Sequence, residues 1–111
     1  MVITIMQGDS WPIYMNLTQS GKTLTPDLID DLEICVGDNW RFSYEEGTAL
    51  FDEKTKRWYI WPTQNDTFSM EPGSYKPQIR AKYKNQKQVY VKGQIASDSI
   101  KVTEAKSREE L

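Results

Sequence analysis

The chain contains no histidine and only one cysteine, Cys35, among its 111 residues. Without histidine, imidazole-based acid–base catalysis is absent and the usual zinc ligand sets are essentially excluded. One cysteine cannot form an internal disulfide, so the chain is not a small secreted scaffold held together by disulfides. The composition therefore predicts no metal and no cofactor, and it favours folding in a reducing cytosol.

The chain also lacks a charge excess and long hydrophobic runs. Lys and Arg total 14 and Asp and Glu total 16, which gives a net charge of −2 with the two signs interspersed. This balance disfavours a protein that binds nucleic-acid phosphates. No apolar run approaches the ~18 residues of a membrane helix, and residues 1–6 lack the features of a signal peptide. We expect no nucleic-acid partner and no membrane partner.

Aromatic residues and short alternating segments are abundant instead. Four Trp, six Tyr and three Phe favour a folded β protein over a disordered chain. A chain of this length fits one domain that buries roughly two-thirds of its unfolded surface. Such a domain has a single core and little room for a deep pocket.

The clearest fold signal is a proline–glycine turn followed by an alternating strand. The turn Pro72-Gly73-Ser74 directly precedes Tyr75, and from Tyr75 to Tyr83 every second residue is apolar or aromatic. The intervening residues, from Lys76 to Lys84, are polar or charged. A turn that places a Tyr at the start of such a strand is typical of the corner between the two sheets of immunoglobulin-like sandwiches.

Other strands are predicted at short intervals along the chain. They cover residues 2–6, 11–17, 32–36, 40–44, 48–51, 57–61, 89–95 and 100–102, with a hairpin through 85–87 and a bulge at Gly93. Thr63 is predicted to cap a short helical turn. Turn signals that recur every 8–12 residues indicate an immunoglobulin-like antiparallel β-sandwich of about seven to eight strands, with a small β-barrel as the alternative. One domain is expected over residues 1–103, followed by a charged tail over 104–111.

Catalytic groups are hard to find in this pattern. Asp27, Asp30 and Asp31 form one acidic cluster, and Glu45 and Glu46 form another. Two carboxylates could catalyse glycoside hydrolysis, but both clusters are predicted to lie in solvent-exposed turns. The spacing of the Asp residues also lacks the pattern of a calcium-binding loop. An enzyme that uses these carboxylates is therefore the weakest of three hypotheses.

Cys35 has no nearby histidine to lower its pKa, so we interpret it as a structural thiol. The expected catalytic, cofactor-binding and metal residues are accordingly none.

Exposed aromatic residues are the best candidates for an interaction surface. Alternation in the segment 57–61 places Trp58 and Ile60 on one face of the strand and Tyr59 and Trp61 on the other. If one face is core, the other exposes a Tyr–Trp pair, and exposed aromatic patches mark binding surfaces. The predicted interaction residues are Tyr59, Trp61, Trp40 and Trp11.

Basic residues gather on the outer face of the last predicted hairpin. They are Lys76, Arg80, Lys82, Lys84, Lys87 and Lys92. We interpret them as a solvated face that resists aggregation, with contact to an acidic partner as the alternative.

Several turn motifs together resemble a known family. They are Gln7-Gly8-Asp9-Ser10 after the first strand, Gly21 in a hairpin, Asn65-Asp66-Thr67, and Pro72-Gly73-Ser74-Tyr75 before Ile79. The chain from residue 3 to about 103 is similar to the small immunoglobulin-like domains of tailed-bacteriophage and prophage structural proteins, in particular the N-terminal domain of phage baseplate upper proteins.

That resemblance implies a non-enzymatic part of a phage tail, baseplate or prophage-derived particle. Such a part is made in the bacterial host cytoplasm and retained in the virion. Its partners would be copies of itself or another phage structural protein. The alternative function is a carbohydrate-binding module that recognises cell-surface glycan through its exposed aromatics.

Overall fold

The computed structural model describes residues 2–19, 21–84, 89–90 and 95–107, and for residues 89 and 90 it describes the backbone only. The predicted hairpin turn at 85–87, the inward Val91 and the bulge at Gly93 lie outside these residues, as does the end of the predicted tail.

Within the described residues, the fold is all-β, as predicted. The strands are β1 (Val2–Met6), β2 (Ile13–Met15), β3 (Thr18–Gln19), β4 (Lys22–Thr23), β5 (Ile29–Val36), β6 (Trp40–Ser43), β7 (Ala49–Asp52), β8 (Arg57–Ile60), β9 (Gly73–Tyr75), β10 (Gln78–Tyr83), β11 (Val89–Tyr90) and β12 (Ser99–Thr103). The helices are a 3-10 turn at Pro26–Leu28 and α1 (Gln64–Phe68).

The strands form two sandwich-like layers and a small hairpin. One layer contains the sheet β2–β8–β7. The other contains β1–β12–β9 and β11–β10–β5–β6, which are joined because β9 runs through Lys76 and Pro77 into β10. The hairpin pairs β3 with β4. Strands β1 and β12 run parallel, whereas the other strand pairings among the described residues are antiparallel.

A single hydrophobic cluster lies between the layers. It includes Ile13 and Trp58 from one layer, and Ile34, Ile79 and Val102 from the other. The alternation predicted for the strand after Tyr75 is confirmed, because Pro77, Ile79 and Ala81 are buried while the residues between them are exposed. The indole N–H of Trp58 donates a 2.9 Å hydrogen bond to the carbonyl of Leu24, which satisfies a buried polar group.

The predicted corner is present at Tyr75. Its hydroxyl donates a 2.6 Å hydrogen bond to the backbone carbonyl of Glu71. Upstream, Thr63 caps α1 as predicted, and the cap is a reciprocal box in which Asp66 also accepts the backbone N–H of Thr63. The helix and the corner together connect β8 with β9 across the end of the sandwich.

The turn after β1 is hydrogen-bonded to α1 and to the segment that follows it. The N–H of Gly8 donates to the hydroxyl oxygen of Thr67, which itself donates to the carbonyl of Asp9, each at 2.9 Å. The buried side chain of Gln7 donates to the carbonyl of Met70 at 2.8 Å. The turn after β1 and α1 are thus in direct contact, although Asp9 and Thr67 are 58 positions apart in the sequence.

Candidate functional site

The outer face of the sheet β2–β8–β7 carries an aromatic surface. Strand pairing sets Tyr14 beside Tyr59 and sets Leu50 on the other side of Tyr59. The two tyrosine rings lie with centroids 5.0 Å apart, and the guanidinium carbon of Arg57 lies 4.8 Å from the centre of the Tyr14 ring. We call the surface formed by Tyr14, Leu50, Arg57, Tyr59 and Trp61 the aromatic platform.

The platform is exposed because its strands alternate. Trp58 and Ile60 are fully buried, so Tyr59 and Trp61, which alternate with them, face outward. Trp61 is 56% exposed and Leu50 is 38% exposed. Both values are high for large apolar side chains, and contiguous exposed apolar groups mark contact surfaces.

Hydrogen bonding distinguishes Trp61 from the other tryptophans. The indole N–H groups of Trp11, Trp40 and Trp58 each donate to an acceptor in the chain, at 3.2, 2.9 and 2.9 Å. Within the described part of the chain, Trp61 has no such acceptor. Trp61 is therefore exposed and is not anchored to these residues through its indole N–H.

Two of the four predicted interaction residues, Tyr59 and Trp61, lie on the platform. Trp40 does not, because it is only 3% exposed and its indole N–H is held by the carbonyl of Asp66. Its position at the start of β6, paired with Val36, turns the ring inward. The interpretation of Trp40 as a surface residue is wrong.

Trp11 is 37% exposed and borders the platform. The hydroxyl of the preceding residue, Ser10, donates to the carbonyl of Pro62, which directly follows Trp61. That bond holds the segment before β2 next to the end of β8. Trp11 itself is anchored, since its N–H donates to the carboxylate of Asp9.

Sequence reasoning missed Tyr14, Leu50 and Arg57. Tyr14 alternates with the buried Ile13 and Met15, which was a signal that it faces outward. The contact of Tyr14 with Tyr59 depends on which strands pair, and the local sequence pattern does not determine that pairing. Arg57 lies on Tyr14 in a cation–π arrangement, so its charge is partly engaged.

The opposite layer presents a charged outer face. Glu33 on β5 accepts a 2.6 Å hydrogen bond from Arg41 on β6 and a 2.9 Å hydrogen bond from Arg80 on β10. Burial alone would raise the pKa of Glu33, but hydrogen bonds from Arg80, Cys35 and Arg41 outweigh it and lower the pKa. The three strands are therefore connected by one ionised carboxylate.

An open cleft of about 420 Å³ lies on this face. Its lining contains Asp30 and Asp31 from one predicted acidic cluster and Glu45 from the other, together with Glu33, Arg41, Arg80 and Lys82. Asp31 accepts hydrogen bonds from the hydroxyl of Ser43 and from the N–H of Glu45. Since Asp31 and Glu33 are occupied by contacts within the chain, both carboxylates serve to hold strands and a turn together.

Cys35 lies near this cleft without the environment of a reactive thiol. Burial, followed by the negative charge of Glu33, raises the pKa of Cys35. A raised pKa keeps the thiol protonated and weakly nucleophilic. Among the described residues, no group of three or more potential metal ligands is present, and no helix has the length and apolar character required to cross a membrane.

Comparisons with protein-family models, curated proteins and solved structures return no match for this chain.

Proposed function

We propose that this chain is a non-enzymatic structural domain that acts through protein–protein contacts made by the aromatic platform. The carrying observation is Trp61, a residue that is more than half exposed and whose N–H has no acceptor within the described residues. Trp and Tyr dominate the energetics of protein interfaces because they bury large areas and offer a polar group.

The neighbouring contacts support a preformed surface. The ring of Tyr14 packs against that of Tyr59, and the guanidinium of Arg57 lies over the same Tyr14 ring, so these side chains hold one another in place before a partner arrives. A preformed surface loses less side-chain entropy on binding. The three-stranded sheet beneath it gives the platform a rigid base.

The specific role we propose is that of a component of a phage tail, baseplate or prophage-derived particle. Support comes from the resemblance of the turns at 7–10, 65–67 and 72–75 to those of phage immunoglobulin-like domains. The partners would be other particle proteins, and the site of action would be the assembled virion.

The test is binding of the purified chain to the structural proteins encoded alongside it, measured by interferometry. A variant with Tyr59→Ala and Trp61→Ala is expected to lose binding at least about tenfold, since truncation of interface aromatics typically costs ~2 kcal/mol or more. Leu28→Ala is the matched control, because Leu28 is an exposed apolar residue outside the platform. Equal binding by all three proteins would contradict the proposal.

The alternative function is glycan binding at the same platform. It is favoured by the exposed Trp61 on the same sheet face as the paired rings of Tyr14 and Tyr59, since sugar recognition combines an aromatic surface with hydrogen-bond donors. Retention on insoluble host cell-wall polysaccharide, lost in the same double variant and kept in Leu28→Ala, would establish it. No retention by the unaltered chain would eliminate it.

A further inference from the structure

Arg57 differs from the other basic residues in its burial. Within the part of the chain that the structure describes, every lysine and the two other arginines, Arg41 and Arg80, are exposed, whereas Arg57 is half-buried. Removing a charged group from water is costly unless the group is paired. A half-buried guanidinium therefore favours the arrival of an opposite charge, unless the chain already supplies one.

Among the described residues, none supplies a carboxylate to Arg57. Arg41 and Arg80 both form ion pairs with Glu33. Arg57 forms no ion pair and donates no side-chain hydrogen bond to a described residue, and its guanidinium lies instead over the ring of Tyr14. A ring attracts a cation more weakly than a hydrogen-bonded carboxylate does, so most of the binding capacity of Arg57 is left unused.

The acidic residue that faces Arg57 in the sheet is engaged elsewhere. Asp52 lies directly opposite Arg57 in the pairing of β7 with β8. One of its carboxylate oxygens accepts the backbone N–H of Lys54 at 2.9 Å, and the other accepts the hydroxyl of Thr55 at 3.0 Å. The carboxylate of Asp52 thus closes its own turn instead of pairing with Arg57.

The polar groups of the aromatic platform are hydrogen-bond donors. The guanidinium of Arg57 and the indole N–H of Trp61 can only donate, and the hydroxyls of Tyr14 and Tyr59 can donate as well as accept. None of these groups is hydrogen-bonded to a described residue. A surface of this kind complements a partner that offers oxygen acceptors, and the positive charge of Arg57 favours an ionised one.

We propose that the partner of the aromatic platform is a protein segment that places an Asp or Glu carboxylate on Arg57 and a neighbouring apolar side chain on Trp61 and Leu50. The planar guanidinium can bind both oxygens of a carboxylate through parallel hydrogen bonds. The aromatic rings around it would exclude water from the contact and so strengthen it. This inference rests on the proposed function, since it names the partner's chemistry at the same surface.

The first test is selection of a displayed random peptide library against the unaltered chain and, in parallel, against Arg57→Gln. Sequences enriched on the unaltered chain should carry Asp or Glu next to a large apolar residue, and Arg57→Gln should not enrich them. Lys101→Gln is the matched control, because it removes the same charge from an exposed position on β12, in the opposite layer. Circular dichroism checks that each variant is folded. A lack of acidic residues among the sequences enriched on the unaltered chain would overturn the proposal.

The second test is a double-mutant cycle, measured by interferometry with one selected peptide and a copy whose acid is replaced by the matching amide. Arg57→Gln should weaken binding of the acidic peptide about tenfold or more, the effect of losing a charge-assisted hydrogen bond. It should leave binding of the amide copy unchanged. Equal weakening of both peptides would mean that Arg57 acts only through its packing on Tyr14, and the proposed ion pair would be refuted.

The outcomes separate this inference from the proposed function. Enriched peptides that lack an acid, but lose binding to the variant with Tyr59→Ala and Trp61→Ala, would refute the carboxylate and leave the platform as a protein-binding surface. Acidic peptides that bind this variant as well as the unaltered chain would refute the platform itself, and a library without any enriched sequence would contradict both proposals. Tighter binding of polygalacturonate, an acidic polysaccharide, than of any selected peptide would overturn the assignment to a protein segment.

Discussion

The hydroxyl of Tyr75 donates a 2.6 Å hydrogen bond to the backbone carbonyl of Glu71, four residues earlier in the chain. This bond closes the corner between the layer that ends in β8 and the strand β9 that starts the opposite layer. The Tyr75 side chain thereby holds in place a corner whose backbone forms no strand-to-strand hydrogen bonds of its own. The corner is the structural basis of the first prediction.

Tyr75→Phe should lower the free energy of unfolding by about 1 kcal/mol, because it removes one hydrogen bond and keeps the ring. Urea denaturation would measure the change. Tyr59→Phe is the control, since its hydroxyl makes no hydrogen bond within the described residues and its loss should be near zero. Equal effects of the two changes would mean that the corner bond contributes nothing.

Ile34→Ala and Ile79→Ala should each lower the free energy of unfolding by about 2–5 kcal/mol, because each leaves a cavity in the core. The two residues are direct partners across β5 and β10, and both are buried. Neighbouring changes share a cavity, so the double variant should lose less than the sum of the two. Thermal and urea unfolding would test this.

Thr23→Ala, at an exposed strand position, is the control for those core variants. A negligible loss in both isoleucine variants would mean that the register is displaced by one residue, which would move these side chains to the other face.

Glu33→Gln should lower the free energy of unfolding by about 1 kcal/mol at neutral pH, since Gln cannot form the ion pairs with the half-exposed Arg41 and Arg80. The pKa of Glu33 in the folded state lies below its ordinary value of 4.5. Its stabilising effect is therefore present above that value and disappears as the pH falls through the folded-state pKa.

The difference between the unaltered chain and Glu33→Gln should accordingly vanish in acid, as measured by urea denaturation from pH 7 downward. Glu53→Gln, which removes a surface pair with Lys56, should have little effect at any pH. A constant difference across the whole range would show that the ionised carboxylate is not the cause.

Gly8→Ala should be more destabilising than Gly21→Ala. Both glycines have positive φ, +90° and +77°, which costs an alanine about 1–2 kcal/mol. At Gly8 the added methyl would also lie 2.8 Å from the ring of Phe68, whereas at Gly21 nothing lies within 4 Å. An additional loss of about 1 kcal/mol or more is expected at Gly8 from this overpacking.

The difference in melting temperature between these two variants provides the measurement. Equal losses would mean that the ring of Phe68 moves aside without cost, so that only the backbone conformation matters.

Much of the fold follows from local patterns. The alternation from Tyr75 to Tyr83 predicts which side chains are buried, because side chains of a strand point to opposite faces in turn. The same rule places Trp61 outside, next to the buried Ile60. Thr63, followed three residues later by Asp66, predicts a helix start, because both side chains can accept backbone N–H groups.

The alternation did not predict that Trp40 is buried, nor which residues form the aromatic platform. Trp40 occupies the beginning of a short strand, where either face could be core until the neighbouring β5 and α1 are in place. Tyr14 and Tyr59 are 45 positions apart in the sequence, and only the pairing of β2 with β8 brings their rings together. The parallel pairing of β1 with β12 brings residues 2–6 beside residues 99–103, and no local sequence pattern predicts it.

By itself, the sequence determined the all-β class, the inward and outward faces of the main strands, the tyrosine corner and the lack of histidine chemistry. These depend on residue types and on spacings of a few positions, which act through local backbone geometry. Only the tertiary structure decided that Tyr14 packs against both Tyr59 and Arg57, that Glu33 connects three strands, and that β1 lies at an edge. Those features depend on which distant segments become neighbours, and that is set by packing of the whole core.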